Sequence, residues 1–378
     1  MLNIGRLQPG GADYYVGEVA TSAEDYYLGH GEAPGRWVGS LAAQLGLQGQ
    51  VDPEDFRRIL EGRDPHTGDQ LVAGHRDAPV AAYVSDAVDE SLTTAQAAQQ
   101  LRCSERYVRR LLRTGGLVGE KAVSEDTGHV GWRVRRSEVN RHAADHIKPR
   151  SRPGFDVTLR PPKSVSVLWA LGTQEQRVAI RQAHREAVDE VVRYLETQAT
   201  FCRSKGDRVL IDGLAAAAFD HRTSRAGDPL LHTHVVVANL SRTVEGKWRA
   251  LDGRALYDHA ISGGHLYQAH LRHLQTTRLG VTWGPMRRGW ADVDGVPQTV
   301  IDLFSQRRDE IEELLAEQGY DSARARQTAT LATRQAKDYE VTADTLAEQW
   351  RTRAAAAGFG PAEAVSYTHL TLPTKRIV

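Results

Sequence analysis

The chain has 378 residues, with 48 basic and 48 acidic side chains, and 40% of its residues are hydrophobic. This length predicts two or three domains with a substantial core, and the composition is typical of a globular chain. No apolar run approaches the roughly 20 residues that cross a bilayer, and the start of the chain lacks the pattern of a signal peptide. We therefore expect neither export nor membrane insertion.

Only two cysteines are present, Cys103 and Cys202. They are too few for a disulfide framework and lack the spacing of a metal site. This usage fits a reducing cytoplasm, where we expect the protein to act.

Charge is distributed unevenly although it cancels overall. Residues 1–90 carry 6 basic and 15 acidic side chains, residues 91–163 carry 15 and 7, and residues 201–290 carry 13 and 7. Locally basic segments can attract nucleic acid when the net charge is zero. Solvated faces that happen to cluster explain the same asymmetry, so charge alone does not decide between these interpretations.

The first stretch, residues 1–88, contains two tyrosine pairs. Tyr14-Tyr15 and Tyr26-Tyr27 follow a short strand-like start at Leu2-Asn3-Ile4. Packing of a small N-terminal core explains such aromatic pairs. A chemical role for the hydroxyl groups is the alternative.

Residues 89–148 form a second stretch with the pattern of helix, turn and helix. Thr94 and Ser104 are the predicted caps of the two helices. A two-stranded wing from Leu117 to Val134 and a last helix capped by Ser137 are expected to follow. The exposed face of the second helix would carry Arg106, Arg109, Arg110 and Arg113.

A basic helix of this kind suits a DNA groove. The spacing of the stretch resembles the winged helix-turn-helix of the excisionase and mercury-resistance-regulator group. A basic surface helix without any DNA contact stays open as an alternative.

The third stretch, residues 149–298, contains a group of histidines. We predict an amphipathic helix from Gln174 to Thr197, with Val178 among its inward residues, and buried strands from Val209 to Phe219 and from Leu231 to Leu240. Side chains two apart on a strand point to the same face, so His232 and His234 project together. A hairpin would return His221, just past the end of the preceding strand, to the same place.

Three neutral imidazoles that converge in this way suit a divalent ion with open positions for substrate oxygens. The identity of the ion stays open among Mn, Mg, Zn, Ni and Cu. A hydrogen-bonded surface pair is the alternative for His232 and His234 considered alone.

Asp156 lies on a third strand-like run, Gly154 to Leu159, which Pro161-Pro162 terminates. Its carboxylate can orient a metal-bound histidine or accept a proton as a base. A simple N-cap or an ordinary salt bridge is equally compatible with the sequence.

Residues 299–364 are predicted to be helical, over Val300 to Gln318 and Ala329 to Ala357. Residues 365–378 resemble a translated sequencing-adapter tail, and we expect them to be non-native. No Gly-x-x-x-x-Gly-Lys-Ser/Thr phosphate loop occurs, which excludes ATP hydrolysis by that route.

Three sets of residues resemble the three motifs of MobF-type conjugative relaxases. The first set is the two tyrosine pairs, the second is Gly154-Phe155-Asp156-Val157-Thr158 with Pro162-Lys163-Ser164, and the third is His221-x-x-Ser224-Arg225 with His232-Thr233-His234. These proteins are HUH single-strand endonucleases. The resemblance implies an α+β fold with a five-stranded antiparallel sheet, a ferredoxin/RRM-like palm with packed helices. The insertion at residues 89–148 departs from the family's usual plan. Thr233 stands where the class name implies a hydrophobic residue, and a threonine there is common in this conjugative branch.

The resemblance also implies roles for individual residues. Tyr14 would be the nucleophile and Tyr26 the candidate for a second strand transfer, with Tyr15 and Tyr27 as neighbours of less defined role. Asp156 would assist a tyrosine or the histidines. The implied metal ligands are His221, His232 and His234, and candidate DNA contacts are Lys163, Arg225 and the four arginines of the inserted helix.

The activity implied by this resemblance is nicking and transfer of one DNA strand at a conjugative origin of transfer. The intermediate would be a 5′-phosphotyrosine, and a coupling protein and accessory nicking factors are the expected partners. Two other functions stay open. One is a DNA-binding regulator with a silent core, and the other is a metal-dependent phosphoesterase that releases its product by attack of water.

Overall fold

The computed structural model describes residues 2–7, 15, 34–72, 91–101, 103–123, 130–139, 142, 153–204, 206–224, 226–318 and 343–366. The chain divides into two compact units. The first unit combines Met1–Ala73 with Pro153–Val378, and the second unit is Gly74–Arg152.

The described strands, in chain order, are β1 (Leu2–Arg6), β2 (Arg36–Val38), β3 (Ser91–Thr93), β4 (Glu120–Val123), β5 (Val130–Arg135), β6 (Gly154–Leu159), β7 (Phe201–Ser204), β8 (Asp207–Leu210), β9 (Ala216–Thr223), β10 (Pro229–Ala238), β11 (Ser241–Arg242) and β12 (Trp248–Arg249).

The described helices are α1 (Ser40–Gln44), α2 (Pro53–Leu60), α3 (Thr94–Gln100), α4 (Glu105–Thr114), α5 (Lys163–Leu171), α6 (Gln174–Gln198), α7 (Gly253–Asp258), α8 (Ala260–Leu279), α9 (Gln298–Leu303), α10 (Gln306–Gln318), α11 (Ala343–Ala356) and α12 (Pro361–Ser366). Within the residues described, no helix combines the length and apolarity needed to cross a bilayer.

Five strands of the first unit form one sheet in the order β1-β6-β10-β9-β2, and every neighbouring pair is antiparallel. This confirms the expected α+β class with a five-stranded antiparallel sheet. The ten-residue β10 is the central strand and pairs with β6 on one side and β9 on the other.

Both faces of this sheet are covered. Val235 and Val237 belong to a core with α6 and α8, whereas Val236 and Ala238 belong to a core with α1 and α2. Because side chains alternate along a strand, a strand covered on both faces is apolar at nearly every position. This explains the continuous apolar run at the end of β10.

The predicted helix from Gln174 to Thr197 is confirmed as α6, which starts with a capping box formed by Thr173 and Gln176. The prediction that Val178 faces inward is wrong, because its side chain is 45% exposed. Val178 precedes the buried Val188 by ten residues, which places it about 80° away around the helix.

The prediction of one strand from Val209 to Phe219 is also wrong. Strand β8 ends at Leu210 and pairs with β7, and β9 starts at Ala216. Between them Gly213 has a φ of 126°, and a Cβ atom there would lie 1.8 Å from Ser40 Oγ. As a result His221 lies inside β9 and not beyond its end.

The C-terminal helices differ from the prediction at one position. The expected helix from Val300 to Gln318 is interrupted, because the Ser305 carbonyl accepts from the backbone N–H of Arg308 at 2.8 Å and starts α10. Helix α11 ends at Ala356, one residue before the predicted end and shortly before Gly358 with its φ of 74°, and residues 329–342 of the predicted helix lie outside the described residues. The first two residues of the expected tail belong to α12, and the rest of it, from Tyr367 onward, lies outside the described residues.

The turn between β9 and β10 is held by a buried carboxylate. Asp228 is 0% exposed and accepts hydrogen bonds from Arg353 Nη1 at 3.1 Å and from the Gln306 backbone N–H at 3.0 Å. Trp350 Nε1 donates to the neighbouring Gly227 carbonyl at 2.9 Å. Helices α10 and α11 therefore hold the turn that brings β10 back beside β9.

Lys163, a predicted DNA contact, lies next to this turn. Its Nζ donates to the Pro229 carbonyl at 2.8 Å. Burial lowers the pKa of Lys163 to about 8, since desolvation outweighs the attraction of Asp228 and the charge of Arg353 adds to it. Lys163 therefore loses its proton more easily in the folded state than in the unfolded chain. Its contact with DNA stays a prediction.

We predict a characteristic pH dependence for this lysine. The charged ammonium destabilises the fold fully below pH 8, and this cost disappears as pH rises from about 8 toward the unfolded value near 10.5. Lys163→Met removes the effect. Urea unfolding at pH 7.5 and pH 9.5 should therefore show wild type gaining stability relative to Lys163→Met. A constant difference between the two proteins would contradict the buried, depressed lysine.

The second unit has its own core and a three-stranded sheet in the order β3-β5-β4. Its first helix, α3, is capped by Thr93 and not by the predicted Thr94. The Thr94 hydroxyl instead donates to Glu105 Oε1 at 2.6 Å, which ties the starts of α3 and α4 together. The predicted cap of α4 by Ser104 is confirmed.

Candidate functional site

The register of β9 and β10 brings three histidines to one face of the sheet. His232 lies directly opposite His221, and His234 follows two residues later on the same strand. The ring centroids of His221 and His232 are 5.1 Å apart, those of His221 and His234 are 5.2 Å apart, and those of His232 and His234 are 5.1 Å apart. The three imidazoles therefore form a nearly equilateral triangle.

Hydrogen bonds orient two of the three rings. His232 Nδ1 lies 3.0 Å from the Leu230 carbonyl oxygen, and His234 Nδ1 lies 2.9 Å from each carboxylate oxygen of Asp156. Both partners are acceptors, so Nδ1 carries the proton and the lone pair is on Nε2 in each ring. This is the tautomer in which a histidine ligates a metal through Nε2.

The donor set fits a divalent ion. Imidazoles that share one ion at the usual Zn–N distance of about 2.1 Å have ring centroids about 5 Å apart, which is the spacing seen here. In the described part of the chain, however, no group of three or more His, Cys, Asp or Glu side chains is arranged so that it could hold a metal ion as it stands. A metal site at the three imidazoles would therefore require their nitrogens to move.

Asp156 connects the histidines to a tyrosine. It lies on β6 beside β10, and its Oδ2 accepts a hydrogen bond from the Tyr15 hydroxyl at 2.9 Å. Thr158 Oγ1 donates to Oδ1 at 3.2 Å. Burial opposes ionisation of this carboxyl, but the hydrogen bonds from His234, Tyr15 and Thr158 hold the pKa of Asp156 below its ordinary value. The carboxylate therefore acts here as an acceptor that orients its donors.

Tyr15 is a buried member of the site. Its ring lies 5.3 Å from the ring of Phe219 and 5.5 Å from that of His234, measured between centroids. Gly35 lies against the same Phe219 ring, where a Cβ atom would be only 2.5 Å from Cε1. Tyr14, Tyr26 and Tyr27 lie outside the described residues, so the roles assigned to them stay predictions.

A chain of polar side chains on the opposite face of the sheet was not predicted from the sequence. Thr233, between the two histidines of β10, lies opposite Asp220, which precedes His221. Thr233 Oγ1 donates to Asp220 Oδ1 at 2.6 Å, and Arg185 Nε donates to the other carboxylate oxygen at 2.6 Å. Strand alternation places this pair behind the histidines.

The chain continues into the helical layer through His184. Its Nε2 lies 2.8 Å from Thr233 Oγ1, and its Nδ1 lies 2.6 Å from the Tyr267 hydroxyl. Burial lowers the pKa of His184 to about 4, so the imidazole is neutral at physiological pH. One consistent order of donors follows, from Tyr267 to His184 to Thr233 to Asp220. Each member holds the next in a buried environment where an unmatched polar group is costly.

We predict that Thr233→Val destabilises the first unit by about 1–3 kcal/mol, because it leaves His184 and Asp220 without their shared hydroxyl. Thr233→Ser keeps the hydroxyl and is the matched control. Urea unfolding of both variants is the measurement. Equal losses for the valine and serine variants would show that the methyl packing of Thr233 matters and the hydrogen-bond chain does not.

The predicted DNA contacts fall in different places. Lys163 is partly buried at the β9–β10 turn, and Arg225 lies outside the described residues. The remaining four are exposed on α4 in the second unit: Arg106, Arg109, Arg110 and Arg113. Lys163 and the four arginines thus belong to different units, and their contact with DNA stays a prediction.

Together, the antiparallel sheet and the histidine triangle beside Asp156 define an α+β protein with a candidate metal centre. Residues 8–357 match the TrwC relaxase family. Since this match covers most of the sequence, the chain belongs to the TrwC relaxase family.

Individual relatives agree with this assignment. The chain is 29% identical over 352 residues to the multifunctional conjugation protein TraI of Escherichia coli strain K12, covering 90% of this chain and 15% of that protein. The chain therefore spans a small part of the length of this relative.

Solved structures show the same fold. The conjugative relaxase TrwC in complex with OriT DNA, without metal, has a TM-score of 0.65 and 23% identity, and the match covers 96% of this chain and 100% of that one. A copper-bound TrwC complex with OriT DNA has a TM-score of 0.64, 24% identity and the same coverage.

Proposed function

We propose that this chain cuts one strand of DNA at an origin of transfer and rejoins it after transfer during conjugation. The observation that carries the proposal is the meeting of three imidazoles, the Asp156 carboxylate and the Tyr15 hydroxyl on one face of the sheet. Tyr14 is the proposed nucleophile, and Tyr26 the candidate for a second transfer step.

The reaction is a transesterification. The tyrosine oxygen attacks the phosphorus, a bond from that oxygen to phosphorus forms, and the bond to the 3′ oxygen breaks. The products are a 5′-phosphotyrosine and a strand with a 3′-hydroxyl, which takes up a proton. Because the phosphodiester is exchanged and not hydrolysed, the strand can be rejoined without ATP.

The side chains of this site have distinct tasks in that step. His221, His232 and His234 would hold a divalent ion, which when bound polarises the phosphate and offsets the developing charge. Asp156 fixes the tautomer and direction of His234 while accepting the Tyr15 hydroxyl. Tyr15 packs between Phe219 and His234 and so lies beside the histidines.

The relatives support this proposal by what they bind. TrwC has been solved with OriT DNA, with copper, and with a 27-mer DNA comprising the recognition hairpin and the cleavage site. We accordingly propose single-stranded origin DNA as the substrate and the conjugation machinery as the partner, with the bacterial cytoplasm as the place of action. The native ion stays open among Mn, Mg, Zn, Ni and Cu.

We predict a covalent protein–DNA adduct that depends on Tyr14. Wild type, incubated with single-stranded origin DNA and Mn²⁺, should give a slower band on denaturing gels. Tyr14→Phe should lose it, because the attacking oxygen is gone. Tyr15→Phe is the matched control and should keep the adduct at a reduced rate, since it removes the hydrogen bond to Asp156 but leaves the attacking oxygen of Tyr14 in place.

The outcome of this assay separates the competing functions. A phosphoesterase would release cut DNA without any adduct, and a regulator with a silent core would leave the DNA intact. An adduct that survives Tyr14→Phe but not Tyr15→Phe would move the nucleophile to the second tyrosine of the pair.

We predict that His232→Ala abolishes adduct formation and lowers Mn²⁺ affinity at least tenfold, because it removes one of three ligands. The exposed His273→Ala on α8 is the matched histidine control and should behave as wild type. Isothermal titration with Mn²⁺ and the adduct assay are the measurements. Unchanged Mn²⁺ binding in His232→Ala would remove the histidines from the proposed metal site.

A further inference from the structure

We propose that the second unit is a separate binding site for duplex DNA, with α4 placed in the major groove. The basis is a rigidly held stripe of arginines on α4, in a unit whose partly exposed aromatic rings are already covered by cations. The site is independent of the proposed nicking site, so either proposal can fail without the other.

The stripe follows one face of the helix. Arg106, Arg109, Arg110 and Arg113 fall at positions i, i+3, i+4 and i+7, which keeps them within about 100° of the helix circumference and about 10 Å of its length. All four are exposed, whereas Val108 and Leu112 on the opposite face are buried in the core. A major groove about 12 Å wide accepts a helix of this size.

The helix is held firmly enough to present these side chains in fixed directions. Glu105 accepts the Thr94 hydroxyl at 2.6 Å, and the Ser104 hydroxyl caps the first turn. Gly115 ends the helix in the left-handed conformation with a φ of 76°. A rigid helix loses little conformational freedom on binding, which favours recognition.

The four arginines are not equivalent. Arg109 Nη2 already donates to Glu105 at 2.6 Å, so its charge is partly neutralised. The guanidinium of Arg110 lies 5.0 Å above the Tyr107 ring, which orients it along the helix without neutralising it. We infer that Arg106 and Arg110 contribute most of the DNA contact.

The charge of the described part of this unit complements a phosphate backbone. These residues carry eight basic and three acidic side chains, and residues 74–152 as a whole carry 14 basic and 10 acidic side chains. Four of the basic side chains belong to strands β4 and β5 and the residue that follows them: Lys121, Arg133, Arg135 and Arg136. Such an excess attracts DNA over roughly one Debye length, about 8–10 Å at moderate salt.

Duplex DNA fits this unit better than a single strand does. Proteins hold single strands by stacking bases on open aromatic faces. Lys121 Nζ lies 5.6 Å above the ring of Trp132, and Trp132 also packs against the core of the unit. Tyr107 is likewise covered on one face by Arg110. Both rings thus make contacts within the unit, while the four arginine side chains of α4 remain exposed.

The experiment uses the full chain and two probes, a fluorescein-labelled 30-base-pair duplex of mixed sequence and its single strand. For the duplex, we expect R106A/R110A to bind at least tenfold more weakly and to lower the slope of log K against log salt by about 2, one unit per lost phosphate contact. The matched control is R193A/R308A, two exposed arginines of the first unit, which should bind the duplex within twofold of wild type.

Three results would overturn the inference: unchanged duplex affinity in R106A/R110A, an equal loss on the single strand, or an equal loss in the control double variant. If the second unit binds a protein partner and not duplex DNA, the duplex affinity of R106A/R110A will be unchanged. Thermal melting checks the fold, and R106Q/R110Q replaces the alanine pair if melting is altered. Wild-type adduct formation, measured in parallel, reports on the nicking proposal separately.

Discussion

Strands β9 and β10 pair so that His232 lies opposite His221 and Thr233 lies opposite Asp220. Every other feature of the candidate site follows from this register. A shift of one residue would move the histidines to the face of α6 and α8 and bring Thr233 to the front. The two faces of one hairpin thus differ, with the proposed metal ligands on one face and a hydrogen-bond chain on the other.

The contacts on the Thr233 face of the hairpin explain how the three histidines on the opposite face are kept in position. Three imidazoles close together gain little from one another, so their position must be fixed by other contacts. Asp220 is partly buried, and although desolvation opposes its ionisation, the charge of Arg185 and the hydrogen bond from Thr233 keep the pKa of Asp220 below its ordinary value. Such a satisfied polar chain favours one register, since any slip would leave its members unmatched. At the far end, Asp228 holds the turn against α10 and α11.

The sequence predicted the parts of the fold that depend on local pattern. Spacing along the chain was enough to predict α6, the cap of α4 at Ser104 and the apolar run of β10. It also predicted that His232 and His234 lie on the same face of one strand. The break between β8 and β9 depended on Gly213 meeting Ser40, which is distant in sequence. The link from Tyr15 to Asp156 spans 141 residues, and the chain from Tyr267 to Asp220 joins a helix to the sheet. Local patterns contain no information on such contacts.

The two units differ in how their charges are used. In the first unit many arginines near the sheet are matched by carboxylates, as in the pairs Arg36–Asp189, Arg185–Asp220, Arg242–Asp212 and Arg278–Glu186. Matched charges contribute little field at a distance, so DNA affinity there must come from close geometry at the site. The second unit keeps a surplus of cations on its surface. In the proposals made above, long-range attraction of DNA therefore rests on the inserted unit, and selection of the reacting phosphate rests on the histidine face.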